Sequence, residues 1–217
     1  MWHFVIPVEE QPLEFVPLAP DEAARELAGY AEFVAPGEPI VAALWERALA
    51  DDRADFLALE GRIRAAAAVG DFALAHELWE RLSEQERLSP RAAWTAGTLA
   101  HAEYASLAPD ERATAVDQLA DARRHYRRVL ETEPDRVRVL AALGQTHVLD
   151  EDGDPAPGIE ALERAVSEAS GDPEIRLDLA TLLLRVGKIA EAQAAHRGRD
   201  LPRLLLRRSS ERSARAE

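Results

Sequence analysis

The run from Ala122 to Gly144 constrains this chain more than any other stretch. An amphipathic segment carrying Ala122 and Tyr126 ends at Pro134, and a second segment with Leu140, Leu143 and Gly144 begins almost at once. Proline cannot continue a helix and restricts the residue before it. Two separate helices therefore meet across a few residues. Their order is the second helix of one helix–turn–helix unit followed by the first helix of the next. Each such pair has apolar residues on more than one face and cannot bury them alone, so the pairs must stack.

Comparable bulky positions recur at Trp79, Tyr126, Leu162 and His196, at intervals of 47, 36 and 34 residues. Gly70-Asp71-Phe72 marks a tight turn, with Ala75 and Trp79 following; Gly187-Lys188 marks another, with Ala192 following. These features resemble the tetratricopeptide repeat, whose unit is about 34 residues. The resemblance covers roughly residues 52–197 and is tightest from 122 to 194, with Leu162 and His196 standing where the family has an aromatic residue. The long first interval predicts an insertion of about 13 residues relative to that unit. It falls around Ser106 to Gln118, as a longer helix or an extra turn. The resemblance implies an all-α fold, a right-handed superhelix of antiparallel helix pairs whose concave groove is lined by the first helix of each pair. It also implies a role in binding other proteins.

Three regions follow. Residues 1–20 contain Trp2, Phe4, Ile6, Leu13 and Phe15, interrupted by Pro7, Pro12, Pro17 and Pro20. They predict a short extended, non-helical N-terminal arm that packs on the first helices or docks on a partner. Residues 21–197 form the repeat domain, about five helix pairs. Asp21 is the expected cap of the first helix, with a stripe of Ala24, Leu27, Ala31 and Val34. Pro36-Gly37 breaks it; Pro39 opens a second helix with Ile40, Leu44, Trp45 and Leu49. Asp51 or Asp52 is the expected cap of a third with Phe56, Leu59, Ile63 and Ala66. Residues 198–217 form a basic capping helix or tail, Pro202 and Leu204–Leu206 included.

Charge sharpens the partner class. The net charge is −14, yet Arg197 to Glu217 carries seven arginines against three acids, a net +4, leaving −18 on the rest. An acidic body repels nucleic acid and anionic membranes, so nucleic acid is not an expected partner; the basic tail is the part able to touch such surfaces or to fold back on the body. No run approaches the roughly 18 apolar residues of a membrane span, and the amino-terminal residues do not read as a signal peptide. With no cysteine, a cytoplasmic location is the expectation.

The chemistry-bearing residues do not assemble into a catalytic motif. His3, His76, His101, His125, His147 and His196 are scattered without zinc-hydrolase spacing, and predict packing or surface roles. Asp150-Glu151-Asp152-Gly153-Asp154 is acidic, but Pro155 and Ala161 occupy the sixth and twelfth positions of a calcium loop counted from Asp150, so the match fails. The segment predicts a solvated loop. No phosphate-binding loop or nucleophile elbow occurs. No metal, cofactor or enzymatic activity is expected. The cluster Arg123-Arg124-His125-Tyr126-Arg127-Arg128 predicts arginines fanned around an exposed helix with Tyr126 inward, pairing with Asp121, Glu131 and Glu133.

The groove faces offer Arg64, Thr95, Ala96, Arg138, Ala142, Gln145, Thr181 and Arg185. This set lacks the lysines and asparagines with which one subclass of the family grips C-terminal carboxylates. The expected partner-binding residues are Arg64, Arg138, Gln145, Thr181 and Arg185, holding a protein or peptide with acidic groups. The chain thus predicts a non-catalytic adaptor or assembly factor. The alternatives are a self-associating structural protein, a homo-oligomer built through the arm, and an accessory subunit of an enzyme complex.

Overall fold

The computed structural model describes residues 20–35, 37–50, 55–112 and 114–197. Among these residues there are twelve helices and no strand. Ten of them form five antiparallel pairs: α1 (Pro20–Val34) with α2 (Pro39–Ala48), α3 (Phe56–Ala68) with α4 (Phe72–Glu80), α6 (Pro90–Ser106) with α8 (Val116–Thr132), α9 (Val137–Leu149) with α10 (Ala156–Glu168), and α11 (Pro173–Arg185) with α12 (Ile189–Arg197). The single turns α5 (Glu84–Arg87) and α7 (Pro109–Arg112) interrupt the series. The first helix of each pair packs on the first helix of the next, the stacking that a helical repeat requires. The arm over 1–20 and the basic segment over 198–217 lie outside the described residues, apart from Pro20, which opens α1.

Local chemistry sets the boundaries. Asp55, Asp71, Ser89 and Asp172 accept the Ala58, Leu74, Ala92 and Ile175 N–H groups at 3.0, 3.2, 3.1 and 3.3 Å, satisfying donors that a helix start leaves orphaned. Gly70 and Gly187 adopt positive φ of 78° and 73° in the turns inside two pairs, a conformation that a side chain would strain. The expected insertion is both things at once: α6 runs on to Ser106, and α7 adds a turn before α8.

Arginine closes the chain where helices end. In α5, Arg87 donates to the Leu82 and Glu80 carbonyls at 2.9 and 2.9 Å, while Glu86 accepts the Ser83 N–H at 2.7 Å. In α7, Arg112 donates to Leu107 and Ala105 at 3.1 and 2.8 Å, and Glu111 accepts the Ala108 N–H at 3.0 Å. The two segments share one device, a Glu-Arg step five residues beyond a leucine, which satisfies the carbonyls of the preceding helix end. Arg128 and Arg164, each two residues past a bulky register position, reach the Leu88 and Pro134 carbonyls in the linkers entering their own pairs. The planar fork suits such multiple contacts where a lysine ammonium does not.

Packing departs from the sequence reading in several places. In α1 the buried apolar residues are Ala24 and Ala28, whereas Leu27 and Val34 are 57% and 61% exposed. Alanines let α1 approach its neighbours closely and turn the larger residues outward. Ile40 is also exposed, and Val41 takes its place in the core. The cap of α3 is Asp55, not Asp51 or Asp52, and α1 starts one residue before Asp21, which stands in its first turn. Thr95 is fully buried rather than groove-lining. The acidic loop is fastened rather than simply solvated: Arg123 donates to Thr146 Oγ1, the Thr146 carbonyl and the Asp150 carboxylate at 3.1, 2.7 and 2.8 Å. Its side chain is 12% exposed, so this member of the basic cluster points inward.

Candidate functional site

A hollow of about 530 Å³ opens where α1, α3, α6 and the start of α9 converge. Its floor is a network joining three helices. Arg64 on α3 bonds Glu32 on α1 through Nε–Oε1 at 2.5 Å and Nη2–Oε2 at 3.0 Å. Its Nη1 donates to Thr95 Oγ1 on α6 at 2.9 Å. The Thr95 hydroxyl donates to Glu60 at 3.3 Å, and Arg91 Nε donates to the other Glu60 oxygen at 2.8 Å. The Glu60 side chain is only 2% exposed; a carboxylate so desolvated must be paired and hydrogen-bonded.

Above this floor stand three arginines around Trp94. Arg91 is 63% exposed even though its Nε is held by Glu60. The Arg136 guanidinium lies 5.6 Å from the Trp94 ring centroid and bonds Glu133 at 3.2 Å. Trp94 in turn meets buried Tyr126 at 5.6 Å between centroids. Arg138 stands beside them, in the fields of Glu32, Arg64 and Arg136; burial pulls its pKa below the usual arginine value.

All three arginines stand where a helix disfavours cations. Arg91 is in the first turn of α6; Arg136 is the N-cap of α9, without a side-chain cap bond, and Arg138 is in its first turn. A helix start carries partial positive charge, and a cation there is unfavourable by about 0.3–1 kcal/mol. Elsewhere Asp55, Asp71 and Asp172 cap α3, α4 and α11, while α2, α8 and α10 start without a side-chain cap bond.

Leu177 and Leu184 on α11 are each 55% exposed, and half-buried Ala141 and Val148 lie on α9. Gln145 bonds Asp178 across these helices; burial raises the Asp178 carboxyl above its ordinary pKa, against the effect of that bond. The Thr181 hydroxyl donates to the Leu177 carbonyl at 2.9 Å. Arg185 gathers the carbonyls of His147, Asp150, Glu151 and Gly153 at 2.7, 2.9, 2.6 and 3.2 Å. It fastens the acidic loop.

Of the five site residues expected from the sequence, Arg64 and Arg138 come together in the charged hollow, Arg64 as a floor group. Gln145 and Thr181 lie on α9 and α11, and Arg185 is bonded to the loop. Arg91, Arg136 and Trp94 were not among them. Their signal was available: arginines in the opening turns of two helices, where acids are favoured. A larger hollow of about 720 Å³ lies between α2, α3 and α4. Two of its polar groups, Arg62 and Glu46, pair with each other at 2.9 Å, and no arginine at a helix start enters it.

His101 packs edge-on against Tyr126, with Nδ1 3.2 Å from the phenolic oxygen. Burial pulls its pKa down to about 4, so it is neutral near pH 7. His147 is buried against Gly158 with Nδ1 3.0 Å from the Asp154 carbonyl.

Residues 151–195 match the family model described as tetratricopeptide repeat. No curated protein matches the chain. The match spans the end of the acidic loop and most of α10 to α12, and it supports a tetratricopeptide-like repeat family for this all-helical fold. Such repeats act generally in protein–protein interaction and are typically non-catalytic. Among the described residues no helix is long and apolar enough to cross a membrane.

Proposed function

We propose that this chain is a non-catalytic adaptor or assembly factor that holds a protein partner in its concave groove, with Arg91, Arg136 and Arg138 receiving acidic groups beside Trp94. The observation that carries this reading is the position of those arginines. They stand at helix starts where they lower stability, in a body of opposite charge. Arg91 and Arg136 also hold Glu60 and Glu133, so the reading rests on three guanidiniums gathered at one hollow beside Trp94 and not on any of them lacking a partner. Arg64 supports the site from below by holding the hollow open through Glu32 and Thr95. Gln145 and Thr181 line the groove further along. Arg185 contributes indirectly, by fixing the loop after α9. A cytoplasmic location goes with the cysteine-free composition.

The test is co-purification of partners from the native source with the wild-type chain and with Arg136→Gln/Arg138→Gln. Those glutamines remove the charge while Glu60 keeps its bonds to Arg91 and Thr95. A partner retained by the wild type and lost by the variant supports the groove. Equal retention moves the site to another face.

A second reading, self-association, draws on α1 and α2, which expose Leu27, Tyr30, Val34 and Ile40 at the first end of the array. Leu27→Glu/Tyr30→Glu should then lower the mass in solution. The same mass for variant and wild type removes this face as an interface.

A further inference from the structure

We propose that the hollow between α1, α3, α6 and α9 is a small-molecule site for a planar aromatic acid: a flat ring system with one carboxylate and one hydrogen-bond acceptor on the ring. This goes beyond the protein-binding reading above. The two share Arg136 and Arg138, so a bound acid excludes a partner held there.

The first observation is a glycine without a packing reason. At Gly61, Gly97, Gly144 and Gly158, all inside helices, a Cβ would overlap the side chain of Trp45, Tyr126, Leu162 and His147 in turn. Gly29 differs. It stands in the middle of α1, and a Cβ there would meet nothing within 4 Å among the described residues. Glycine inside a helix costs about 0.8–1.0 kcal/mol relative to alanine, and Gly29 has no close neighbour that requires it. It borders the hollow. Without a side chain, its backbone admits the close approach of a ring.

The second observation is an orphaned donor. Trp45 also lines the hollow and is only 5% exposed, and its indole N–H has no hydrogen-bond partner among the described residues. Buried donors are nearly always satisfied, so an acceptor is missing here. Phe56 and Trp94 add two more flat rings to the walls. Aromatic pairs contribute about 0.5–1.5 kcal/mol beyond the area they bury, which favours a planar ligand over a saturated one. The volume of about 530 Å³ lies within the range of small-ligand pockets, about 300–1,000 Å³.

Charge sets the number of acids. The lining holds four arginines and three glutamates. Its net charge of one is balanced by a single carboxylate and exceeded by a polyanion. Arg64 spends all three of its nitrogens on Glu32 and Thr95. Arg91 and Arg136 each give one nitrogen to a glutamate, and their other N–H groups, beside Trp94, receive the carboxylate.

The experiment titrates the full chain with quinoline-6-carboxylate, read by calorimetry. Three controls have the same size. Naphthalene-2-carboxylate lacks the ring nitrogen, quinoline-6-carboxamide lacks the charge, and decahydronaphthalene-2-carboxylate is not planar. The quinoline acid should bind with a dissociation constant of about 1 mM or tighter, and each control about tenfold more weakly. Gly29→Leu should weaken binding by about tenfold or more, with an unfolding free energy equal to or above wild type because α1 gains helix propensity. Arg136→Gln/Arg138→Gln should weaken the acid and leave the amide unchanged. No binding, equal binding of any control, or undiminished binding by Gly29→Leu overturns the inference. The groove reading fails separately, through unchanged retention of a co-purified partner by the arginine variant, because the titration contains no partner.

Discussion

The two ends of the array are packed by different means. Toward the C-terminus, Tyr126 on α8 and Leu162 on α10 lie over Gly97 and Gly144, each on the first helix of its own pair; a Cβ at either glycine would overlap the side chain above it. Toward the N-terminus, Trp45 on α2 lies over Gly61 on α3, the first helix of the next pair. Two apolar cores follow from this, one running from α1 to α6 and the other from α6 to α12. Over Gly97 and Gly144 the bulky residue comes from the same pair, although Leu182 of the next pair also reaches Gly158, whereas over Gly61 it comes from the neighbouring pair. There the Glu32–Arg64–Thr95–Glu60–Arg91 chain adds a polar tie across α1, α3 and α6. The difference teaches that a repeat signature records packing inside a pair, and fades where the same contact is made to a neighbour.

The polar tie is where the contrast breaks most sharply. Arg64→Met should destabilise the chain by about 3–4 kcal/mol, because it leaves the Glu32 carboxylate unpaired in a poorly hydrated site. Urea unfolding measures this, and a loss below about 1 kcal/mol would reduce the network to surface pairing. The glycine contacts come next. Gly61→Ala should cost about 3 kcal/mol, since a rigid indole must move. Gly144→Ala should cost about 1–2 kcal/mol, since Leu162 can change rotamer. Equal losses would erase the distinction between the two cores.

Acid sharpens the comparison at α6, which belongs to both cores. His101 has its pKa depressed to about 4 in the folded chain, against about 6.5 when unfolded. Between those values the unfolded chain binds the extra proton, so stability is full above about pH 6.5 and falls as the pH drops toward about 4. The loss should reach about 2 kcal/mol for this half-buried ring. His125 and His147 are shifted downward by burial as well, so they add in the same sense. His101→Phe should therefore reduce the slope without removing it, and an unchanged slope would assign the acid sensitivity to the other two. The smallest effect is expected at the loop: Arg185→Lys should cost about 1 kcal/mol, because an ammonium cannot reproduce the forked contacts. Faster hydrogen exchange over residues 150–154 should accompany it.

Much of the scaffold is legible in the sequence, for reasons visible in particular residues. Pro134, Gly70 and Gly187 punctuate helices through backbone geometry alone, and Ala75, Ala122, Gly158 and Ala192 are small because neighbours approach closely. Leu27 and Val34 are misleading, since helical spacing fixes a face but not which face is buried. The arginines are harder still. Arg123 and Arg128 read as surface charge and Arg185 as a partner-binding residue, yet their partners are backbone carbonyls 23, 40 and 38 residues away. A carbonyl leaves no trace in residue identity. The register singles out Arg138 and Arg64, which line the hollow; Arg91 and Arg136, which line it too, stand out only when charge is weighed against position in the helix.

The most direct measurement of the central claim is the retention of co-purifying protein by the wild-type chain and by Arg136→Gln/Arg138→Gln, quantified by mass spectrometry. The groove account predicts a partner depleted by about tenfold or more with the variant, at an unfolding free energy within about 1 kcal/mol of wild type. The same partner, retained equally by a variant that is equally stable, would contradict it.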